Sequence, residues 1–330
     1  MNRCLVPVGI TGLGSYVPPR VLTNSDLEKM VDTSDEWIQT RTGIRERRIA
    51  DPEVASSDLA VLAARPALER AGVAPTDLDL IIVATVSPDM LYPATACIVQ
   101  DRLGADHAAA FDLEAGCTGF VYALIVGSQM VATGAHRNAL IIGAEVLSKF
   151  LDWTDRATCV LLGDGAGAAV LQPVEEGRGL LSFTLGSVGS GGDALKIPAG
   201  GSRMPTSEET VRNRLHFTVM QGQEVFKFAV KAIEDACRIS VERAGLSLDD
   251  VNVVVPHQAN SRIIDAAAKR LGIPMERFFS NVDRYGNTST ASIPIALEEA
   301  VQEGRIQRGD VVVLVGFGAG LTWGAATLRW

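Results

Sequence analysis

Apolar positions along this chain follow two alternating rhythms. Near-continuous aliphatic runs occur at "LDLIIVATV" (78–86), "NALIIGAEVL" (138–147), "GAGAAVLQP" (165–173), "VNVVVPH" (251–257) and "GDVVVLVGFG" (309–318). A strand with one wet face would alternate apolar and polar residues, so these runs predict strands covered on both faces, as in layered α/β folds. Between them, "SSDLAVLAARPALERAGV" and "FKFAVKAIEDACRISVERAGL" repeat with helical period and stop at Gly72 and Gly245. Glycine is the usual helix terminator because it accepts the left-handed conformation at low cost.

The two halves can be laid over each other. "ALERAGVAPTDLDLIIVAT" from Ala67 matches "SVERAGLSLDDVNVVVPHQ" from Ser240, placing Glu69 on Glu242, Gly72 on Gly245 and Asp77 on Asp250, an offset of 242 − 69 = 173 residues. After a three-residue slip, "GCTGFVYALIVGSQMVATG" (116–134) lies over "GNTSTASIPIALEEAVQEG" (286–304), and Cys117 falls on Asn287. Such a self-match predicts duplication into two similar halves related by a pseudo-two-fold axis, with chance recurrence of helix-Gly-strand units as the alternative. The join is expected near "QPVEEGRG" (172–179), dividing the chain into 1–175 and 176–330. Duplication would turn the loops bearing Cys117, His257 and Asn287 toward one cleft.

With 330 residues, 47% of them hydrophobic, the chain has room for two domains or one large duplicated unit. Its net charge of −9 argues against long-range attraction to nucleic acid or an anionic membrane, so an anionic ligand would need a local basic patch. No basic-then-apolar leader opens it, and no apolar run reaches the roughly 18 residues that span a bilayer. The expectation is a soluble, cytoplasmic protein. The cysteines (Cys4, Cys97, Cys117, Cys159 and Cys237) lack paired spacing, which predicts neither a zinc site nor a disulfide framework. Each thiol is either a small core residue or a reactive one.

Cys117 follows Gly116 and precedes a predicted helix, where free N–H groups and the helix dipole would stabilise a thiolate and lower its pKa. His257 ends "VVVPH" at the C-terminal mouth of a predicted buried strand, where open α/β sheets place ligand-binding groups. Asn287 sits among turn residues in "DRYGNTSTAS". Each has an ordinary structural reading: a core thiol, a satisfied core histidine, a turn asparagine. Together they supply a thiolate to take up an acyl group and two neutral donors for a carbonyl that becomes enolate-like.

"GDGAGA" (163–168) lacks the Lys-Ser/Thr ending of a phosphate-binding loop and is read as tight strand packing. "GFGAGLTWG" (316–324) either offers a backbone N–H near Gly318 and Ala319 to an oxyanion or is a plain turn. "DTSDEWIQTRTGIRERR" (32–48) combines Trp37 with Arg41, Arg45, Arg47 and Arg48, either as a solvated helix and basic loop or as a platform for an adenine ring and phosphates.

These segments, with "GCTGF", "VPHQANSRII" and "GNTSTASIP", stand in the order seen in the β-ketoacyl-acyl carrier protein synthase III family, which the whole chain resembles. The resemblance implies a thiolase-type fold, with two duplicated halves in a five-layered αβαβα sandwich, and a homodimer. It implies that Cys117 is acylated, that His257 and Asn287 promote decarboxylation, and that backbone N–H groups at Cys117 and Ala319 form the oxyanion site. Trp37, Arg41, Arg156, Phe226 and Asn260 would hold coenzyme A, while Lys227, Arg262, Lys269 and Arg270 would receive an acidic carrier protein.

The partners so implied are an acyl-CoA, as substrate, and malonyl-acyl carrier protein, with no metal or other cofactor. Elongating relatives resemble a Cys-His-His pattern and degradative thiolases use a second cysteine; neither is found at the matching positions. Tyr92 in "DMLYPATAC" departs from a common phenylalanine near the acyl pocket, reached from the neighbouring subunit, and leaves the primer length open. A relative that primes a polyketide or other secondary metabolite with an unusual starter is the same-class alternative. A cysteine hydrolase is the alternative from another class, although it lacks an evident acidic orienter beside His257.

Overall fold

The computed structural model describes residues 5–330, so Cys4 lies outside the described residues. In the first half, strands β1 (Val8–Tyr16), β2 (Leu80–Ala84), β3 (Ala109–Leu113), β4 (Ala139–Glu145) and β5 (Gly165–Pro173) form a sheet in the order β1-β5-β4-β2-β3. β2 pairs in parallel with β3 and β4, whereas β5 runs antiparallel to β4 and β1. In the second half, β6 (Gly179–Ser187), β7 (Val253–Pro256), β8 (Val311–Gly318) and β9 (Thr322–Arg329) take the order β7-β8-β9-β6. Read from the opposite edge, β6, β9, β8 and β7 stand where β1, β5, β4 and β2 stand. The counterpart of β3 has shrunk to a parallel bridge between Val254 and Phe278, with the Phe279 N–H donating to the Val254 carbonyl at 2.9 Å.

Helices complete five layers. α1 (Ser56–Ala71) and α2 (Thr95–Leu103) cover the outer face of the first sheet, and α3 (Gly119–Ala132) lies inside. α4 (Gly222–Arg243) and α5 (Ser261–Leu271) cover the outer face of the second sheet, and α6 (Ser292–Gln302) joins α3 between the sheets. The sequence of each helix explains its layer. α3 reads "GFVYALIVGSQMVA" and is apolar nearly all round, so it is stable only with protein on both sides; Phe120, Val121, Leu124 and Ile125 are buried. α4 instead buries Ala229, Ile233, Ala236 and Val241 and turns its charges to solvent. Every residue of β2 and β4 is buried, as their unbroken apolar runs require.

Glycines set the closest approaches. A Cβ on Gly14 of β1 would lie 2.7 Å from the Ala67 nitrogen of α1, and one on Gly167 of β5 would lie 2.7 Å from Pro294 Cβ of α6. The "GDGAGA" segment is therefore a packing element, as its sequence predicts. Gly14→Val is expected to push α1 off the sheet and destabilise the fold by about 1–3 kcal/mol, measured as a lower thermal midpoint.

Candidate active site

Cys117 lies in the turn between β3 and α3, two residues ahead of the first helical residue, Gly119. Gly116 has φ +54°, a conformation glycine tolerates, and this turn presses backbone to backbone against the end of β8. A Cβ on Gly116 would be 2.6 Å from the Ala319 nitrogen, and one on Gly318 would be 3.0 Å from Cys117 Cα and closer still to its nitrogen. The N–H groups of Cys117 and Ala319 both reach the Cys117 sulfur and favour its ionised form.

That help is outweighed. Burial pushes the Cys117 thiol up to about 11, and the buried Glu145 carboxyl adds to the shift against the Ser289 hydroxyl and the two N–H groups. The expected lowering by the helix terminus is thus corrected: desolvation wins, and Cys117 rests as a thiol.

His257 follows β7 and is buried, 1% exposed. Its Nδ1 lies 2.7 Å from Ser292 Oγ, whose oxygen also accepts the Gln258 N–H at 3.3 Å. With the Ser292 hydroxyl as donor to Nδ1, the ring carries its proton on Nε2 and presents it as a donor. Burial lowers the His257 pKa to about 3, so the ring is neutral across physiological pH. The sign follows: the unfolded chain takes up a proton near its ordinary value of 6.5 and the folded site does not, so folding loses stability as pH falls below that value. A titration of the ring followed by NMR is expected to show no His257 protonation between about pH 5 and 9.

Asn287 stands directly after Gly286, before α6, at the position equivalent to Cys117 before α3. Its N–H donates to the Leu161 carbonyl at 2.8 Å, and its own carbonyl accepts from Gly163 at 3.0 Å. The side-chain Oδ1 accepts the Ser289 N–H at 2.8 Å, which leaves Nδ2 as a free donor. Behind the loop, Glu299 accepts from Asn281 Nδ2 (2.7 Å), Arg284 (2.9 Å) and the Tyr285 hydroxyl (2.6 Å), tying the turn to α6.

Cys117, His257 and Asn287 line one narrow passage of about 130 Å³ together with Phe226, Asn260 and Phe317. Beyond Cys117 and Asn287 it meets a larger cavity of about 470 Å³, walled by Val86, Leu147, Phe150, Leu161, Leu162 and Met220, with Glu114 and Lys196 as its charged groups. The arrangement offers one nucleophile, two backbone donors and two neutral side-chain donors beside an apolar chamber.

The other predicted residues are placed unevenly. Arg156 stacks over Trp37 with 5.2 Å from guanidinium carbon to ring centre, and Asn260 caps α5 while its Nδ2 donates to the Arg41 carbonyl at 3.0 Å. Of these residues Asn260 lines the passage, together with Phe226. Arg262 lies over Phe226 at 5.8 Å, and Lys227 is exposed beside it. Lys269 and Arg270 stand at the far end of α5, about 12 Å along the helix, where Arg270 pairs with Glu234 at 2.7 Å.

Arg47 leaves the basic platform: it is fully buried, donating to the Leu22 and Val160 carbonyls (3.1 and 2.7 Å) and to Asn24 Oδ1 (2.8 Å). Tyr92 is 84% exposed and does not line the cavity of its own chain. Ser292 meets His257 and Ser289 lines the chamber, although the sequence positions of these two point to no role; the buried Glu145 lies behind them. Glu145 carried a signal, as a charge inside the apolar run "ALIIGAEVL". Among the described residues no His, Cys, Asp and Glu side chains gather as a metal-binding group, and no helix is long and apolar enough to cross a membrane.

A duplicated five-layered αβαβα fold around this site defines the class as a thiolase-fold acyltransferase. Residues 111–189 match the family model for 3-oxoacyl-[acyl-carrier-protein] synthase III, and residues 241–330 match the model for its C-terminal part. The chain is 62% identical over 324 residues to β-ketoacyl-[acyl-carrier-protein] synthase III of Symbiobacterium thermophilum, covering 98% of each chain. A crystal structure of β-ketoacyl-[acyl carrier protein] synthase III from Thermus thermophilus is 52% identical, with TM-score 0.91 over 98% of this chain and 99% of that one. The priming β-ketosynthase of the R1128 polyketide pathway is 37% identical, with TM-score 0.91 over 98% and 96%. The chain belongs to the β-ketoacyl-[acyl-carrier-protein] synthase III family, the condensing acyltransferases that initiate fatty acid synthesis.

Proposed function

We propose that Cys117, His257 and Asn287 carry out a two-stage condensation of a primer acyl-CoA with malonyl-acyl carrier protein. Cys117 attacks the primer thioester, the N–H groups of Cys117 and Ala319 hold the oxyanion, and coenzyme A leaves. Malonyl-acyl carrier protein then enters. The Nε2–H of His257 and the Nδ2–H of Asn287 donate to its thioester carbonyl and stabilise the enolate formed as carbon dioxide departs. The enolate carbon attacks acyl-Cys117 and releases a β-ketoacyl-carrier protein. Both stages balance without a metal or redox cofactor.

The observation that supports this reading is that Cys117, His257 and Asn287 line one passage, while Ser292 Oγ occupies His257 Nδ1 and the Ser289 N–H occupies Asn287 Oδ1, leaving His257 Nε2 and Asn287 Nδ2 to meet a substrate. Trp37 with Arg156, together with Arg41, Phe226 and Asn260, would hold coenzyme A at the mouth. Lys227 and Arg262 would meet the acidic carrier protein there, with Lys269 and Arg270 as a second contact further along α5. The unpaired edge of β3 and the exposed Met90, Leu91 and Tyr92 favour a homodimer in which Tyr92 reaches the neighbour's cavity.

The test is intact-mass spectrometry after brief exposure to a panel of acyl-CoAs, followed by malonyl-acyl carrier protein. An adduct mapped to Cys117 that is discharged only by the malonyl partner is expected. Discharge by water alone would make the protein a hydrolase, and absence of any adduct would make Cys117 a packed thiol.

A further inference from the structure

Glu145, at the end of β4, is wholly buried, yet the two-stage condensation assigns it no role. Its partners are neutral: Thr85 Oγ1 (3.2 Å), the Val86 N–H (3.2 Å), Ser87 Oγ (2.5 Å) and Thr290 Oγ1 (3.0 Å). Thr290 Oγ1 also lies 3.0 Å from the Ala84 carbonyl. One hydroxyl has one proton, so Thr290 has two settings. It donates to an ionised Glu145, or it turns its proton to Ala84 and accepts from a protonated Glu145. The site satisfies this carboxyl in both of its states, which a purely structural acid would not need.

Ser289 connects the carboxyl to the nucleophile. It is 1% exposed, lines the chamber with Cys117, and holds φ +48°, a strained conformation for a residue other than glycine. Its hydroxyl has no aligned hydrogen-bond partner, and it faces both the Cys117 sulfur and the Glu145 carboxyl. Its backbone is committed, the N–H donating to Asn287 Oδ1 and the carbonyl accepting the Ser292 N–H, and its hydroxyl is not. A buried, unpartnered hydroxyl between a thiol and an acid is placed to hand a proton across.

We propose that Glu145, acting through the Ser289 hydroxyl, receives the Cys117 proton during acyl transfer. The proposal rests on Cys117 being the nucleophile. As the S–H bond breaks, its electron pair forms the bond from sulfur to the acyl carbon. The proton passes to Ser289 Oγ while the Ser289 proton passes to Glu145. The thioester C–S bond then breaks, and the departing coenzyme A sulfur takes back a proton by the reverse path, leaving Glu145 as a carboxylate. Ser289, which takes the proton from the reacting sulfur, is thus a catalytic residue, and Glu145 acts through it. Burial raises the proton affinity of thiol and carboxyl alike, while the Ser289 hydroxyl favours the charged form of each.

Of the groups packed against Glu145 only Cys117 titrates. The chamber's remaining charges are Glu114 and Lys196, the latter paired with Asp193 at 2.6 Å, and neutral His257 stands on the passage. Wild-type acylation is therefore expected to fall as pH drops and Glu145 is protonated before it can accept.

The test compares Glu145→Gln and Ser289→Ala with wild type in two separate assays: single-turnover acylation of Cys117 by acyl-CoA across pH, and carbon dioxide release from malonyl-acyl carrier protein. Both variants should acylate about 10²-fold more slowly, while carbon dioxide release stays within about twofold. The double variant should be no slower than either single one, and Glu145→Gln should lose the low-pH fall. Acylation within about twofold of wild type in both variants, or an equal loss in both assays, would overturn the relay. Should glutamine at 145 prevent folding, Ser289→Ala decides alone. A wild-type protein that takes no acyl group on Cys117 would remove the nucleophile assignment, and the relay with it.

Discussion

Alanine at His257 or Asn287 is expected to cut malonyl decarboxylation by about 10²–10³-fold, while Cys117 still takes up an acyl group from acyl-CoA. The two side chains are neutral donors of fixed orientation, His257 held by Ser292 and Asn287 by Ser289. An enolate oxygen in a narrow, largely apolar passage depends on such donors, because they are oriented before the charge develops. In the proposed reaction acyl transfer relies on the backbone N–H groups of Cys117 and Ala319 instead, and so should survive. Asn287→Asp sharpens the test: it keeps the oxygen that accepts the Ser289 N–H but lacks the amide donor, so it should decarboxylate as poorly as alanine. Carbon dioxide release and the mass of acyl-Cys117 read the two stages separately. A variant that decarboxylates normally would show that its residue does not stabilise the enolate.

What was legible in the sequence follows periods that packing enforces. β2, β4, β5, β7 and β8 lie within the five apolar runs because strands buried on both faces are built almost wholly of apolar residues. The internal repeat foretold the matching strand orders, and it located Cys117 and Asn287 at equivalent turns ahead of α3 and α6. The β3 counterpart could not be anticipated, since a strand reduced to a single bridge at Phe278 leaves almost no pattern.

Electrostatics were least legible. The helix terminus beside Cys117 can be read from neighbouring residues, but the burial that overrides it comes from distant segments packed on the Cys117 turn, such as Gly318, 318 − 117 = 201 positions away. Arg47 looks like its exposed neighbours in "TGIRERR", yet one of its acceptors, Val160, lies 113 positions further along the chain. Glu145 is the converse case, a charge conspicuous in an apolar strand whose meaning depends on Thr290 and Ser289 from the other half.

Gly318→Ala is expected to produce the opposite split, lowering acylation of Cys117 by about 10²–10³-fold while carbon dioxide release from the malonyl thioester is largely kept. The added methyl would sit 3.0 Å from both Cα and Cβ of Cys117 and closer still to its nitrogen, and backbone cannot yield there as a flexible side chain would. Relief requires the Cys117 turn and the end of β8 to separate, which withdraws the N–H groups of Cys117 and Ala319 from the oxyanion position. Losing one such donor costs about 3–4 kcal/mol of transition-state stabilisation, the origin of the expected factor. Gly116→Ala meets Ala319 from the other side, at 2.6 Å from its nitrogen, and should behave alike. Thermal melting alongside the assays separates a lost donor from a lost fold. If Gly318→Ala instead spared acylation and stopped decarboxylation, the oxyanion donors would belong to the malonyl stage, and the division of labour between the backbone turn and the His257–Asn287 pair would have to be reversed.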